Sequence, residues 1–143
     1  MLRELRDADL EQIRDINEFS LGYPTSLELA QRQFAKLSQD SQHILIGYAD
    51  EKTDQLLGYV HAQVYENLYS DAGLNVLALA VHPEAQGRGI GKQLMARLEN
   101  VVREQGYEFI RLNSGAHRLE AHAFYENIGY DGDKTQKRFM KYL

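Results

Sequence analysis

The sequence predicts an α/β fold in which a mixed β-sheet is flanked by about four helices. Short apolar runs with strand character alternate with segments of helical periodicity along the chain. The run from Leu74 to Val81 is almost continuously apolar, which is typical of a strand buried on both faces. A glycine-rich turn follows this run and leads directly into an amphipathic helix. We therefore expect the element order βααβββαβαβ in a single domain spanning residues 1–143.

The first half of the chain predicts one strand, two helices and a hairpin. An alternating strand at residues 2–6 precedes a first helix that Asp7 or Asp9 can cap. The apolar residues expected on one face of that helix are Leu10, Ile13, Ile16 and Phe19. Thr25 and Glu28 have the spacing of a capping box for a second helix, whose apolar stripe comprises Leu27, Ala30, Phe34 and Leu37. Residues 43–49 and 56–66 then predict two strands joined by a turn.

The second half predicts a strand, a helix, a strand, a helix and a closing strand. The strand at 74–81 precedes a helix that ends near Gly106, a residue type favoured just past a helix end. The apolar residues of this helix are Ile90, Leu94, Met95, Leu98, Val101 and Val102. Residues 109–113 predict the next strand, residues 119–127 a helix stopped by Gly129, and residues 137–143 the closing strand.

Composition excludes several classes of protein. The net charge is −5 and no dense run of Lys or Arg occurs, so neither nucleic acid nor an anionic membrane is an expected partner. The chain has no cysteine, which excludes disulfides, zinc–thiolate sites and thiol nucleophiles. The N-terminal stretch is too charged for a signal peptide, and no apolar run approaches the roughly 20 residues of a membrane helix. We expect a cytoplasmic protein with no bound metal.

The turn "QGRGIGK" at residues 86–92 has the features of an anion site. Glycine lets successive backbone N–H groups point into one concavity. The helix that begins here adds unpaired N–H groups and the positive end of its dipole. Together these features predict a cradle for a phosphate group.

Two common nucleotide motifs do not fit this turn. A P-loop ending at Gly91 and Lys92 would need glycine at position 86 and Ser or Thr at 93, and both are Gln. The dinucleotide pattern would need a third glycine at position 92, which is Lys. ATP, GTP and NAD are therefore disfavoured as ligands.

The pattern that fits is Q-x-x-G-x-G, at Gln86, Gly89 and Gly91, preceded by an apolar strand ending in "LAVHP". Together with "AHAFYENIGY" at residues 121–130, it resembles the acetyl-CoA signature and late helix of the GNAT N-acetyltransferase superfamily. The resemblance covers nearly the whole chain, because the element order matches as well. It implies a GNAT-like fold and acetyl-CoA as the acetyl donor.

The resemblance also implies particular site residues. The pyrophosphate of acetyl-CoA would lie on the turn formed by Gln86, Gly87, Arg88, Gly89, Ile90, Gly91 and Lys92. The pantetheine arm would run along the strand end formed by Leu79, Ala80 and Val81. Tyr125 would sit beside the thioester sulfur and protonate or hydrogen-bond the leaving thiolate. Phe124 is expected to be a core aromatic. Arg88 and Lys92 are either phosphate contacts or solvated cations.

The sequence departs from the family at three positions. Many members carry an asparagine seven residues before the tyrosine, some carry a basic carboxylate on the strand before the glycine-rich turn, and others carry a glutamate near the end of the next strand. Those positions hold Arg118, Asn75 and Asn113, and neither asparagine can accept a proton from the amine. The general base is therefore another residue, a water chain or bulk solvent. The residues that remain candidates are Glu66, Asp71, His61, His82, His117 and His122.

Two functions stay open at this point. The first is an N-acetyltransferase that moves acetyl to a small-molecule or peptide primary amine by direct attack. The second is a non-catalytic acyl-CoA-binding regulatory module, which the two asparagines favour. Tyr23, in the turn between the first two helices, is either an acceptor contact or a hydrophobic plug. The sequence also leaves a homodimer open.

Overall fold

The computed structural model describes residues 1–143 and divides into two compact units, residues 1–112 and 113–143. The first unit contains a five-stranded sheet with three α-helices, and the second contains the last helix. In chain order the elements are β1 (Leu2–Glu4), α1 (Leu10–Ile16), α2 (Leu27–Leu37), β2 (His43–Ala49), β3 (Leu56–Tyr65), β4 (Gly73–Val81), α3 (Ile90–Gln105), β5 (Ile110–Leu112) and α4 (Leu119–Asn127).

The sheet has the strand order β1-β2-β3-β4-β5 and is mixed, as the sequence predicts. The pairs β1–β2, β2–β3 and β3–β4 are antiparallel, and β5 pairs parallel with β4. The α3 crossover between β4 and β5 makes this parallel pairing possible. The strand that lies beside the glycine-rich turn is therefore flanked by an antiparallel and a parallel neighbour.

Helices cover both faces of the sheet in the first unit. Tyr59 and Ala80 lie in one buried cluster with Leu10, Ile13 and Ile16 of α1, so α1 covers that face. Gly58, the neighbour of Tyr59 on β3, points the other way. A Cβ on this glycine would lie 3.3 Å from Cγ2 of Ile90, which shows that α3 packs closely on the opposite face.

A π-helical turn at Asn17–Leu21 continues α1 and changes which residues face the core. The prediction that Phe19 shares the apolar face of the first helix is wrong, since Phe19 is 64% exposed. The wider turn shifts this residue out of the 3.6-residue stripe. The turn is attached to the sheet, because the Tyr59 hydroxyl donates a hydrogen bond to Asn17 Oδ1.

The cap of α2 lies one residue later than the predicted capping box. Ser26 Oγ accepts a hydrogen bond from the Leu29 amide at 3.1 Å, whereas Thr25 precedes the cap. Gly106 ends α3 in a left-handed conformation, as predicted. None of the helices combines the length and the apolar character needed to cross a bilayer.

The prediction of a closing strand at residues 137–143 is wrong. These residues form no helix or strand, and all of them are exposed. Alternating apolar residues give a segment strand propensity, but a strand forms only where another strand accepts its hydrogen bonds.

Candidate functional site

An open strand edge lies next to the glycine-rich turn. The pairing of β4 with β5 ends where Val76 meets Leu112, yet β4 continues to Val81. Residues 77–81 therefore have a strand neighbour only on the β3 side. Backbone groups on the other side of this segment are available to a ligand with amides of its own.

A β-bulge determines which residues face this open edge. Leu77 is the extra residue, because Ala78 pairs with His61 while Val76 pairs with Ala62. After the bulge, the amide of His82 donates to the Leu57 carbonyl at 2.7 Å. Hydrogen-bonding groups alternate along an antiparallel ladder.

Leu79 and Val81 therefore direct their backbone groups toward the open edge. Ala80 directs its own toward β3 and has a buried side chain. Of the three residues predicted for the pantetheine arm, Leu79 and Val81 are thus placed to bond a ligand, and Ala80 is part of the core.

The carbonyl of Val81 already has two hydrogen-bond donors. Ser20 Oγ donates to it at 2.6 Å and Gln86 Nε2 donates at 3.2 Å. Gln86 therefore ties the glycine-rich turn to the end of β4, and Ser20 ties the π-helical turn to the same atom. Sequence reasoning missed Ser20, because this contact joins residues 61 apart and leaves no local signal.

The glycine-rich turn forms a concave backbone surface at the start of α3. Gly87 and Gly89 have φ of +82° and +76°, which side chains other than that of glycine rarely adopt. A Cβ on either glycine would have no heavy atom within 4 Å, so the space in front of both is open. The first turn of α3 contains no acidic residue. Its first N–H groups lie on Ile90, Gly91 and Lys92, which have no intrahelical acceptor.

These features fit a diphosphate, which needs backbone donors, a positive dipole and no side-chain bulk. Arg88 and Lys92 are exposed beside the cradle, and Arg88 makes only a long 3.4 Å contact with the Glu84 carbonyl. Ile90 contributes its backbone alone, because its side chain is buried against β3. The seven predicted turn residues therefore lie together, with Gln86 and Ile90 also holding the turn in place.

A histidine pair lies on the sheet face that α1 covers. His61 Nε2 and His43 Nδ1 are 2.9 Å apart across β2 and β3. Burial, together with the nearby His43, lowers the pKa of His61 to about 4. His61 is therefore neutral near pH 7 and engaged by its neighbour, and the pair could not be inferred from residues 18 apart in sequence.

Asn75 is also engaged. Arg111 Nη1 donates to Asn75 Oδ1 at 2.6 Å, and the Arg111 guanidinium lies 4.9 Å from the centre of the Tyr65 ring. The position at which the family resemblance implies a basic carboxylate thus holds a neutral acceptor for an arginine. Glu66 and Asp71, the other candidates on this side, are exposed.

Tyr125 lies in the second unit, on α4. Burial raises the pKa of its phenol, although the nearby Arg118 opposes the shift. The ring makes edge contacts with Phe124 at 5.2 Å and Tyr130 at 6.1 Å between centroids. A phenol with a raised pKa keeps its proton near neutrality and can donate it.

The remaining candidates have structural partners or are exposed. His122 Nε2 contacts the Gly115 carbonyl at 2.8 Å, which ties α4 to the segment before it. His82 Nδ1 accepts from the Glu84 amide at 3.1 Å. His117 is exposed. Tyr23 is 67% exposed, so the plug interpretation of this residue is wrong.

The fold and the turn define a class: an α/β protein whose central strand has an open edge that leads into a glycine-lined helix start. The sequence profile of the Acetyltransferase (GNAT) family matches residues 10–130. The chain therefore belongs to the GNAT acetyltransferase family, which confirms the resemblance seen in the sequence.

Individual relatives are more distant. The chain is 38% identical over 65 residues to the aminoalkylphosphonate N-acetyltransferase of Salmonella typhimurium, covering 46% of this chain and 41% of that protein. It is 29% identical over 93 residues to the mycothiol acetyltransferase of Kocuria rhizophila, covering 64% of this chain and 31% of that protein. The chain thus spans well under half the length of either protein.

A solved structure shares the whole fold. The aminoglycoside antibiotic 6′-N-acetyltransferase from Acinetobacter haemolyticus superposes with a TM-score of 0.83 at 12% identity. The match covers 100% of this chain and 99% of that chain. At this identity the likeness supports the fold alone.

Proposed function

We propose that the chain transfers the acetyl group of acetyl-CoA to a primary amine by direct attack, without a covalent enzyme intermediate. One observation carries the proposal: the open edge at Leu79 and Val81 runs directly into the left-handed turn at Gly87 and Gly89. An extended ligand with amides at one end and a diphosphate at the other would match the strand edge with its amides and the N–H groups of the turn with its diphosphate.

Different backbone segments would bind different parts of acetyl-CoA. Acetyl-CoA supplies a thioester whose C–S bond breaks as the amine forms the new C–N bond. Leu79 and the Val81 amide would bond the pantetheine amides, and the backbone from Gly87 to Lys92 would hold the diphosphate. Arg88 adds positive charge beside that cradle.

Tyr125 is proposed as the general acid, from its position in the late helix of the family. Its phenol would give its proton to the leaving sulfur and recover one from solvent. The phenol is protonated near neutrality, and burial raises its pKa further, so the proton is present when the thiolate leaves. Phe124 packs edge-on against the Tyr125 ring and limits its orientation.

The amine's proton has no single carboxylate to receive it in this proposal. Asn75 is bonded to Arg111, and His61 is bonded to His43 with a low pKa. We therefore propose that the amine reacts in its neutral form and that its surplus proton leaves through water. The concentration of neutral amine then sets the rate at neutral pH.

The proposed acceptors are small primary amines. The relative from Salmonella typhimurium is an aminoalkylphosphonate N-acetyltransferase, and the protein of the same fold from Acinetobacter haemolyticus is an aminoglycoside antibiotic 6′-N-acetyltransferase. A panel should therefore contain an aminoalkylphosphonate, an aminoglycoside, a polyamine, an amino acid and a peptide with a free N-terminus.

The test is release of CoA thiol from acetyl-CoA in the presence of each amine. A thiol reagent serves well, because the chain has no cysteine to react with it. We expect release with at least one amine and mass addition of one acetyl group to that amine. Binding is tested separately by the acetyl-CoA-induced rise in melting temperature, with ATP and NAD at matched concentrations as controls.

The two measurements separate the competing functions. Stabilisation by acetyl-CoA without turnover on any amine would favour the acyl-CoA-binding module. Equal stabilisation by ATP and acetyl-CoA would reject the donor site itself.

A further inference from the structure

One half of a sheet face carries polar side chains, although the other half of that face belongs to the core. Helices α1 and α2 cover the half that contains Tyr59 and Ala80. The other half, called the polar half from here on, is formed by alternate residues of β3 and by their partners on β4 and β5. Each of its members has a polar group and is half-buried: His61, Gln63, Tyr65, Asn75 and Arg111. A sheet face of this composition meets either solvent or a polar ligand.

The polar half adjoins the place where β4 and β5 separate. The pairing of these strands ends at Val76, one residue after Asn75 meets Arg111. The bulge residue Leu77 follows, and Leu79 of the open edge comes two residues later. At about 3.3 Å per residue, Leu77 lies about 7 Å from Asn75 along the strand. A ligand that extends from the glycine-rich turn along the open edge therefore ends beside the polar half.

The opposite face of the same strands is closed. The side chains of Val60, Ala62 and Val76 are buried there. An amine that approaches the inner end of the open edge must therefore come from the side of the polar half. Side chains of the polar half are the ones that such an amine would meet.

Arg111 supplies an oriented positive charge in the polar half. Its Nη1 donates to Asn75 Oδ1 at 2.6 Å, and its guanidinium lies 4.9 Å from the centre of the Tyr65 ring. Both contacts hold the group in place, but neither a carboxamide nor an aromatic ring cancels its charge. A guanidinium presents its N–H donors in a planar fork that matches the oxygens of a carboxylate or a phosphonate.

The neighbouring groups leave Arg111 as the charged member of the polar half. His61 is neutral near pH 7, because its pKa is lowered to about 4 by burial and by the nearby His43. Gln63, Tyr65 and Asn75 carry no charge at that pH. The carboxylates that follow β3, at Glu66 and Asp71, are exposed, so solvent and salt screen them.

We propose that the acceptor is a small primary amine that also carries an acidic group, a carboxylate or a phosphonate, and that Arg111 binds this group. This role for Arg111 rests on the acetyl transfer proposed above and defines the class of acceptor. The short distance between Asn75 and the bulge suits an acceptor whose amine and acid are a few bonds apart. Arg111 acts by binding, and the amine still attacks the thioester in its neutral form.

Acceptors that differ in one group test this assignment. β-Alanine has a carboxylate where β-alaninamide has a neutral carboxamide, and aminoethylphosphonate presents a phosphonate instead. Release of CoA thiol gives kcat/KM for each, expressed per neutral amine because the pKa of the amine differs between them. We expect the wild type to prefer at least one of the two acids over the amide by about 10- to 150-fold, the range for a hydrogen bond to a charged group. The faster acid shows whether the site takes a carboxylate or a phosphonate.

Arg111→Gln and Asn75→Asp should each remove the preference. The first removes the charge, and the second keeps the arginine but gives it a carboxylate as its partner. Both should raise KM for the acids and leave kcat/KM for β-alaninamide within about twofold, because the lost contact serves binding rather than chemistry. A purely structural role would instead lower the rates of all three acceptors together. The matched control is Arg103→Gln, since exposed Arg103 also donates to an asparagine carboxamide, that of Asn100 at 3.0 Å, and it should keep the preference.

Calorimetry with CoA in place of acetyl-CoA gives a readout that needs no turnover. The preferred acid should bind the wild type in the presence of CoA and should bind Arg111→Gln at least about tenfold more weakly. If no amine is acetylated, the acetyl transfer is wrong, and this binding alone decides the role of Arg111. Equal binding to both proteins, or none to the wild type, then overturns that role.

Turnover with a different pattern overturns the acceptor class alone. Equal kcat/KM for the acids and for β-alaninamide would show that the site does not recognise an acidic group. A preference that survives both Arg111→Gln and Asn75→Asp would show that another residue recognises it. In either case the transfer of acetyl to an amine would stand.

Discussion

Two glycines at opposite ends of α3 allow a matched test of the diphosphate cradle. Gly89 begins the helix with φ of 76° and ψ of 15°, and Gly106 ends it with φ of 74° and ψ of 25°. Neither would place a Cβ within 4 Å of another atom. Gly89→Ala and Gly106→Ala therefore impose the same backbone strain, but only the first adds a methyl group at the cradle.

The strain sets the expected loss of stability. A non-glycine residue in the left-handed region costs about 1–2 kcal/mol. For a chain of this size each kcal/mol corresponds to a fall of about 3–5 °C in melting temperature. We expect both variants to melt about 3–10 °C below the wild type when no ligand is added.

The rise in melting temperature caused by acetyl-CoA should then differ between the two variants. A ligand at 100 times its dissociation constant stabilises the folded state by about 2.7 kcal/mol, or about 10 °C here. Gly106→Ala should keep this shift in full. If the methyl group at position 89 weakens binding tenfold, the shift falls by about 1.4 kcal/mol, or roughly half. Gly89→Glu adds negative charge and should remove it.

Differential scanning fluorimetry with increasing acetyl-CoA measures both effects in one experiment. The reasoning is refuted if Gly89→Ala and Gly89→Glu show the same ligand-induced shift as Gly106→Ala. Such a result would mean that the left-handed glycines at the start of α3 serve only the turn.

Three further predictions concern the chemistry and the histidine pair. Tyr125→Phe should lower kcat by about 10²–10⁴ with little change in KM, because the phenol acts on charge that develops as the thiolate leaves. In kinetics from pH 6 to 10, kcat/KM should rise toward the amine pKa of each acceptor, and an acceptor of lower pKa should react faster near neutrality. Chemical denaturation should show stability lost as pH falls from about 6.5 toward 4, by about 2 kcal/mol after allowance for partial exposure, because only the unfolded state protonates His61 in that range.

Each of these predictions has a control. Tyr130→Phe removes a hydroxyl from the ring beside Tyr125 and should leave kcat near the wild-type value. The pH profiles of kcat/KM for the two acceptors could instead both bend at one shared pH near 6–7. If Glu66→Gln or His122→Ala then removes the bend, the mutated residue is the base. His61→Gln should flatten the stability profile between pH 6.5 and 4, and an unchanged slope would assign the loss to other groups.

Sequence reasoning predicted the elements whose signals are local. The α4 bounds, the end of α3 at Gly106 and the strand of residues 43–49 agree with the structure, because each depends on nearby periodicity or on one glycine. The N-cap of α2 is Ser26, one residue after the predicted Thr25, because serine and threonine are both favoured at this position.

Features that depend on distant contacts were not predictable. The bulge at Leu77 lies within a stretch that is apolar from Val76 to Val81, and nothing in that stretch marks the extra residue. The bond from Ser20 to Val81 and the pair formed by His43 and His61 join separate elements. The bulge and the Ser20 contact act on the strand end at residues 79–81. The family resemblance therefore indicated this strand end, but not that Ala80 directs its backbone toward β3.

The missing carboxylate at position 75 illustrates the limit of reading single residues. From the sequence alone, Asn75 stands where the family resemblance implies a basic carboxylate. In the structure its carbonyl oxygen accepts a hydrogen bond of 2.6 Å from Arg111, and that guanidinium lies over the Tyr65 ring. A carboxylate in the same place would be held ionised by the arginine, and a neighbouring positive charge lowers the proton affinity of an acid. The asparagine and the arginine therefore form one unit, and restoring an acidic residue at position 75 alone would not supply an effective base.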